Sequence, residues 1–433
     1  MGTAILGLLC LLVLILLRLP IAFAMLSVGF FGVAVVVGFQ PALSMVGQIA
    51  FDTGLSYELS VLPLFILMGN FVTRAGLSEE LYAASQAWLG HRPGGLAMAT
   101  IVACGGFSAV CGSSLATAAT MAKVAMPPMR RYGYAPSFAA GSIAAGGTLG
   151  ILIPPSVVLV LYGTMTGQDI GLLFAAGLVP GLVAVAGYVG AVRFVVWRDP
   201  SRGPRAERVS KPMRRRALAR VWGVLTLFAV VMGGIYGGVF TPTEAAGIGA
   251  GGGFLFAALR KRLTWSSLFD VLNESTQTTA MLFLVLMGAL VFSNFLNLAG
   301  LPSAVAEGVG LLDIPPLGVI GAILLVFLVM GCVLESLSMV LLLVPVTYPL
   351  VAAQGFDLIW FGILVVTVTE ISLITPPIGL NVFVLKNSVP EVTTAEIFRG
   401  VTPFWCADLV RLALLVAFPW LALALPWLLR GVS

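Results

Sequence analysis

The stretch "GILIPPSVVLVLYG", residues 150–163, is an apolar run with two adjacent prolines in its middle. A proline lacks a backbone N–H and clashes with the carbonyl four residues back. Pro154 therefore releases the Gly150 carbonyl from helical bonding, and Pro155 releases that of Ile151. Unpaired carbonyls facing lipid cost several kcal/mol each. They persist only inside protein or along a cavity. A second run, "TEISLITPPIGLNVFVLK" at 369–386, repeats the device, with Pro376 and Pro377 releasing Ser372 and Leu373.

The two runs belong to a longer internal repeat. Residues 112–156 align without a gap to 334–378, at an offset of 222. Gly133 falls on Gly355, Pro127 on Pro349, and Ser114-Leu115 on Ser336-Leu337. Each copy also carries a small-residue, hydroxyl-rich interruption, "GGFSAVCGSSLATAAT" (105–120) and "MGCVLESLSMV" (330–340). The turn of the first copy holds Arg130-Arg131, whereas no basic residue occurs from Ser336 to Leu385. By the positive-inside rule the two turns face opposite sides. The repeats are then inverted, as in many secondary transporters. Residues 1–210 form the first, with its hairpin and broken helix at 94–165 and a basic cytoplasmic loop at 198–220. Residues 211–433 form the second, with its hairpin and broken helix at 316–386.

The whole chain has this character. Of 433 residues, 59% are hydrophobic and 9% charged, against about a quarter charged in a soluble domain. The chain reads as an all-α polytopic membrane protein embedded in the lipid bilayer. Apolar spans lie near 3–17, 21–39, 59–74, 94–120, 136–165, 171–197, 221–239, 243–259, 276–299, 316–343, 358–385 and 403–428. Amphipathic stretches at 41–58, 78–90 and 264–275 suit the membrane interface. The first run has no basic residue before it and reads as a retained helix, not a signal peptide. Thr241-Pro-Thr-Glu244 is a helix start with the elements of a capping box.

Other chemistries lack raw material. The single histidine, His91, sits beside Arg92 and Pro93 as a loop residue. Cys10, Cys104, Cys111, Cys332 and Cys406 lie in apolar stretches without metal-type spacing. Between Arg198 and Arg220 nine basic residues face two acidic ones, which a cytoplasmic loop explains. Without aromatic or motif support, no nucleic acid partner is expected. The sequence offers no nucleophile motif and no clustered carboxylates, so an enzyme is not expected.

Freed carbonyls and hydroxyls suit a hard cation such as sodium, and a helix restarting after a break turns its positive end toward an anion. The candidate cation ligands of the first copy are Ser108, Gly112, Ser113, Ser114, Gly150, Ile153 and Pro155. Those of the second are Ser336, Ser338, Ser372, Thr375 and Pro377. Thr117, Ser156 and Asn381 are candidate substrate contacts. Small residues also allow close helix packing in lipid, and Asn70 and Asn381 fit inter-helix bonding equally well. Glu335 aligns with Ser113 beside the second cation site. Glu370 is placed either to cap the second broken segment or to balance a bound cation. Lys123 suits snorkelling toward the cytoplasmic side.

With "LPLFILMGNF" (62–71), "GGFSAVCGSSLATAATMAKVAMPPM" (105–129), "GILIPPS" (150–156), "TPTEAAGIGA" (241–250) and "ITPPIGLNVFV" (374–384), the chain resembles the large membrane (permease) subunit of tripartite ATP-independent periplasmic (TRAP) transporters, within the ion transporter superfamily. The resemblance implies sodium-coupled import of an organic acid across the bacterial inner membrane. It implies a soluble periplasmic substrate-binding protein and a small four-helix membrane subunit as partners. It implies re-entrant hairpins, and a scaffold with an elevator-type transport domain. Its sodium sites, where hairpin tips meet broken helices, fall on Ser113–Thr117 with Gly150–Pro155 and on Ser336–Ser338 with Ser372–Pro377. Ser372 departs from the glycine expected there. No GxxxxGK[ST] motif is present. The rival readings are a stand-alone sodium–anion symporter and a channel.

Overall fold

The computed structural model describes residues 2–311 and 315–431, and no strand occurs among them. Helices α1 (Gly2–Leu16), α2 (Ile21–Val37) and α3 (Phe39–Leu55) come first, and α4 (Val61–Arg74) follows α3 across a 60° bend. Next come α5 (Leu77–Leu89), α6 (Gly95–Cys111), α7 (Ser114–Arg131), α8 (Pro136–Thr148), α9 (Val157–Thr166) and α10 (Ile170–Arg198). The middle holds α11 (Lys211–Arg220), α12 (Trp222–Tyr236), α13 (Pro242–Leu259), α14 (Trp265–Leu298) and α15 (Leu301–Leu311). The chain closes with α16 (Pro316–Gly331), α17 (Ser336–Ala353), α18 (Leu358–Ser372), α19 (Leu380–Ser388), α20 (Thr394–Ala417) and α21 (Trp420–Arg430). The stretches aligned at offset 222 carry the same order of elements, so α7 and α17 start at the equivalent residues Ser114 and Ser336.

Local chemistry accounts for the boundaries. Thr241 and Glu244 form the expected capping box, with the Glu244 N–H donating to Thr241 Oγ1 at 3.2 Å and the Thr241 N–H to Glu244 Oε2 at 2.8 Å. Three expectations fail. The stretch 264–275 does not lie apart at the interface but is the first part of the 34-residue α14. Thr264 caps that helix and no proline follows to break it. The span expected at 403–428 divides into α20 and α21 at Phe418-Pro419, because proline cannot continue the preceding ladder. The helix α15 has no counterpart among the expected spans.

The two copies interlock. Helix α19 packs on α7 and α8, α17 packs on α9, and α20 packs along α8. At the last contact the backbones touch. A Cβ on Gly400 would fall on the Ser137 carbonyl oxygen, and one on Gly141 would fall on Gly400 itself. Phe404 of α20 stacks on Phe138 of α8 and meets Tyr188 of α10 edge-on.

Beside this contact lies a buried ionic network. Arg411 Nη2 sits 2.5 Å from Glu370 Oε2 and 3.0 Å from Asp408 Oδ1. Tyr188 donates to Asp408 Oδ2 at 2.6 Å, and its hydroxyl lies 3.1 Å from Thr148 Oγ1. All five residues are buried. Glu370 therefore does not cap the helix after the second break, whose N-cap is Gly379, and its Oε2 is paired with Arg411. That pairing is with a cation on another helix, and Glu370 Oε1 is left buried without a hydrogen-bond partner.

Two substitutions test this packing. Gly400→Leu should cost about 1–3 kcal/mol or more through overpacking, seen as a lower unfolding temperature in detergent, while Gly251→Ala, within α13 and meeting nothing within 4 Å, should not lower it. Arg411→Met should cost about 3–5 kcal/mol, because removing one partner strands buried carboxylates, and the same unfolding assay reads it.

Candidate functional site

Helix α6 ends at Gly112, whose φ of +64 is in the left-handed region where a side chain would be strained. Ser113 is extended, and its Oγ accepts from the Ala116 N–H at 3.4 Å to cap α7. At the other tip Glu335 holds the same position. Its carboxylate accepts from the Ser338 N–H at 3.4 Å, from the Ser338 hydroxyl at 3.3 Å and from the Ser336 hydroxyl at 3.5 Å. The aligned residues Ser113 and Glu335 are thus both N-caps, one neutral and one acidic.

Both tips open on a single cavity of about 150 Å3. Gly112, Ser113, Ser114, Glu335 and Ser336 line it, together with Asn70 of α4 and Glu274 and Thr278 of α14. Two helix N-termini, each carrying about half a positive charge, therefore meet hydroxyl and carboxylate oxygens in a small space. Asn70 is fixed there by donating to Ser275 at 2.9 Å. Glu274 and Thr278 are absent from the sequence-based candidates because Glu274 falls in a stretch that reads as interfacial and Thr278 at the start of the apolar span that follows it. An unbroken helical run from 265 is the signal that would have included them.

The first break lies against the first tip. A Cβ on Gly150 would sit 2.6 Å from the Ser113 carbonyl oxygen, and one on Gly112 would sit 2.9 Å from that of Pro155. Gly112, Ser113, Ser114, Gly150 and Pro155 thus come together. Ile153 packs instead against Gly181 and Gly105. Ser108 is one turn away, and its hydroxyl donates to the Cys104 carbonyl at 2.6 Å.

The second break is arranged differently. Ser372 lies against Gly331, at the end of α16, and donates to Thr369 O at 2.7 Å. Thr375 donates to Ile371 O at 2.6 Å and accepts from Trp405 Nε1 at 3.0 Å. Pro377 is exposed, whereas Pro155 is buried. Ser372, Thr375, Pro377 and Ser338 do not line the cavity.

Three of the four carbonyls released by proline find new donors. Ile151 accepts from the Ser156 hydroxyl, Ser372 from the Thr375 N–H at 3.1 Å, and Leu373 from the Asn381 N–H at 3.1 Å. Gly150 alone has no protein donor among the described residues. The candidate substrate contacts are all buried. Thr117 donates to Ser113 O at 2.7 Å, Ser156 also caps α9, and Asn381 donates to Ala144 O at 3.1 Å. Asn381 Oδ1 is left buried without a partner. None of the three lines the tip cavity.

Comparison with known proteins supplies a family. The C4-dicarboxylate TRAP transporter large permease protein DctM of Pseudomonas aeruginosa is 36% identical over 406 residues, 93% of this chain and 94% of that protein. The sialic acid TRAP transporter large permease protein SiaM of Vibrio cholerae is 33% identical, over 87% of this chain and 88% of that one. The isethionate TRAP transporter permease protein DctMQ of Oleidesulfovibrio alaskensis is 32% identical over 90% of this chain but only 60% of its own length. In fold, the chain is similar to the Alcanivorax borkumensis YdaH transporter, with a TM-score of 0.63 at 16% identity, covering 89% of this chain and 90% of that one. Residues 8–421 match the family described as the tripartite ATP-independent periplasmic transporter, DctM component. The chain belongs to that family and is a TRAP transporter large membrane subunit, a multi-pass membrane protein.

Proposed function

We propose that this chain imports an organic acid across the bacterial inner membrane, driven by sodium, with the substrate delivered by a periplasmic binding protein. The observation that carries this reading is the cavity where two half-helix N-termini meet serine, threonine and carboxylate oxygens, inside a chain of the DctM family. Neutral and acidic oxygens suit a hard monovalent cation, and helix N-termini favour an anionic substrate. Gly112, Ser113, Ser114 and Gly150 form the first sodium site in this proposal, and Glu335 and Ser336 the second. The names of related proteins, for C4-dicarboxylates and sialic acid, support an organic acid. The DctMQ relative, of which this chain covers 60%, supports a small membrane subunit as partner. The proposal includes two inverted repeats, 1–210 and 211–433, each contributing helices to a scaffold, and a hairpin with a broken helix to an elevator-type transport domain.

Reconstitution in liposomes with the small subunit and binding protein tests it. Uptake of labelled organic acid should require both an inward sodium gradient and the binding protein. Uptake by the chain alone would make it a stand-alone symporter, and flux without sodium coupling would make it a channel. Ser114→Leu and Ser336→Leu should each lower sodium-dependent uptake roughly tenfold or more, about 1.4 kcal/mol of lost ion binding, with insertion intact. Normal sodium dependence in both variants would remove these residues from the ion sites.

A further inference from the structure

A second cavity, of about 600 Å3, lies at the end of α10 that leads into the basic segment. Three arginines from three parts of the chain surround it. Arg92 comes from the α5–α6 turn, Arg193 from the last turns of α10, and Arg205 from the segment between α10 and α11. None of the three side chains makes a hydrogen bond or ion pair among the described residues, whereas neighbouring Arg202 is paired with Asp199. Val196 and Trp197 continue the Arg193 face of α10 into the cavity, as their spacing of three and four residues requires. Trp197 is 80% exposed.

The cavity is a built feature. The segment that carries Arg205 is strapped across the helix ends by backbone bonds. Gly203 O accepts from the Gly94 N–H at 2.8 Å, Gly90 O from the Ala206 N–H at 3.0 Å, and Arg202 O from the Ala135 N–H at 3.1 Å. Gly203 approaches Gly94 so closely that a Cβ there would lie 3.0 Å from the Gly94 Cα.

We propose that this cavity binds the headgroup of an anionic phospholipid. Three unpaired guanidinium groups match a phosphate, which arginine recognises through paired N–H donors. The place in the span supports a lipid over a soluble ligand. A 29-residue apolar helix reaches the headgroup layer near its end, where an exposed tryptophan beside basic residues sits at the water–lipid boundary. Basic pockets between helices in that layer bind anionic headgroups.

Native mass spectrometry of the detergent-solubilised chain tests this with phosphatidylglycerol, cardiolipin and phosphatidylcholine. Anionic lipid adducts should persist on the unaltered chain, and phosphatidylcholine adducts should not. Each arginine near such a headgroup contributes about fivefold in affinity, so Arg92→Gln with Arg193→Gln and Arg205→Gln together should weaken anionic binding roughly a hundredfold. The single variants Arg92→Gln and Arg205→Gln, in exposed turns, should each weaken it about fivefold. Arg215→Gln with Arg216→Gln, outside the cavity, should not change it. Equal binding by the triple variant, an equal loss in the Arg215/Arg216 control, or equal retention of phosphatidylcholine would overturn the proposal. Displacement of the lipid by millimolar glycerol phosphate would assign the site to a soluble phosphate ester and overturn the lipid assignment.

Discussion

A backbone carbonyl without a donor, inside a protein that offers little water, is the constraint from which this structure follows. Each proline pair creates two such groups, and apolar surroundings forbid leaving them bare. The chain answers mostly with its own atoms. Ser156 turns its hydroxyl back to Ile151, and the turns around Thr375 and Asn381 return N–H groups to Ser372 and Leu373. Three of the four released carbonyls are therefore re-paired within the protein. The exception is Gly150, the residue against which Ser113 and Ser114 pack. Of the four carbonyls released by proline, the one without a donor among the described residues thus belongs to the residue that touches a hairpin tip.

Much of the outline was legible in the sequence because it rests on residues with few options. Proline pairs break helices wherever they stand, Gly112 at positive φ ends a helix, and Thr241 with Glu244 starts one. The equivalence of Ser113 and Glu335 emerged from alignment and reappears as the same capping role. The partners of the hydroxyls were not legible. Ser108 and Thr375 bond the carbonyl four residues back, the usual outlet for a hydroxyl in a dry helix, and spacing does not distinguish this from an oxygen offered to a ligand. Glu370 was misread because its cation, Arg411, is 41 residues away on α20. The unbroken course of α14 was hidden by its polar first half, whose Glu274 and Thr278 reach the cavity.

The aligned copies differ at their tips and where they meet each other. Thr148 and Glu370 are equivalent positions at offset 222, yet one is a hydroxyl and the other a carboxylate. Both join the network of Tyr188, Asp408 and Arg411. The ends of α8 and α18, each just before a break, are thereby connected through α10 and α20. At the tips the same substitution of character recurs, with Ser113 facing Glu335 across one cavity. A shared backbone plan carries an unequal distribution of charge, with the acidic member in the second copy both times.

The contact between Gly141 and Gly400 has a mechanical meaning. Where two helices meet backbone to backbone, no side chain lies between them to act as a bearing, and interiors packed so closely transmit displacement instead of absorbing it. Helices α8 and α20 consequently behave as one girder. Thr148 at the end of α8 and Arg411 on α20 are mounted on that same piece, so a shift of the first break is also a shift of the arginine that holds Glu370 beside the second. The two interruptions are thus joined through packed helices and one ionic network.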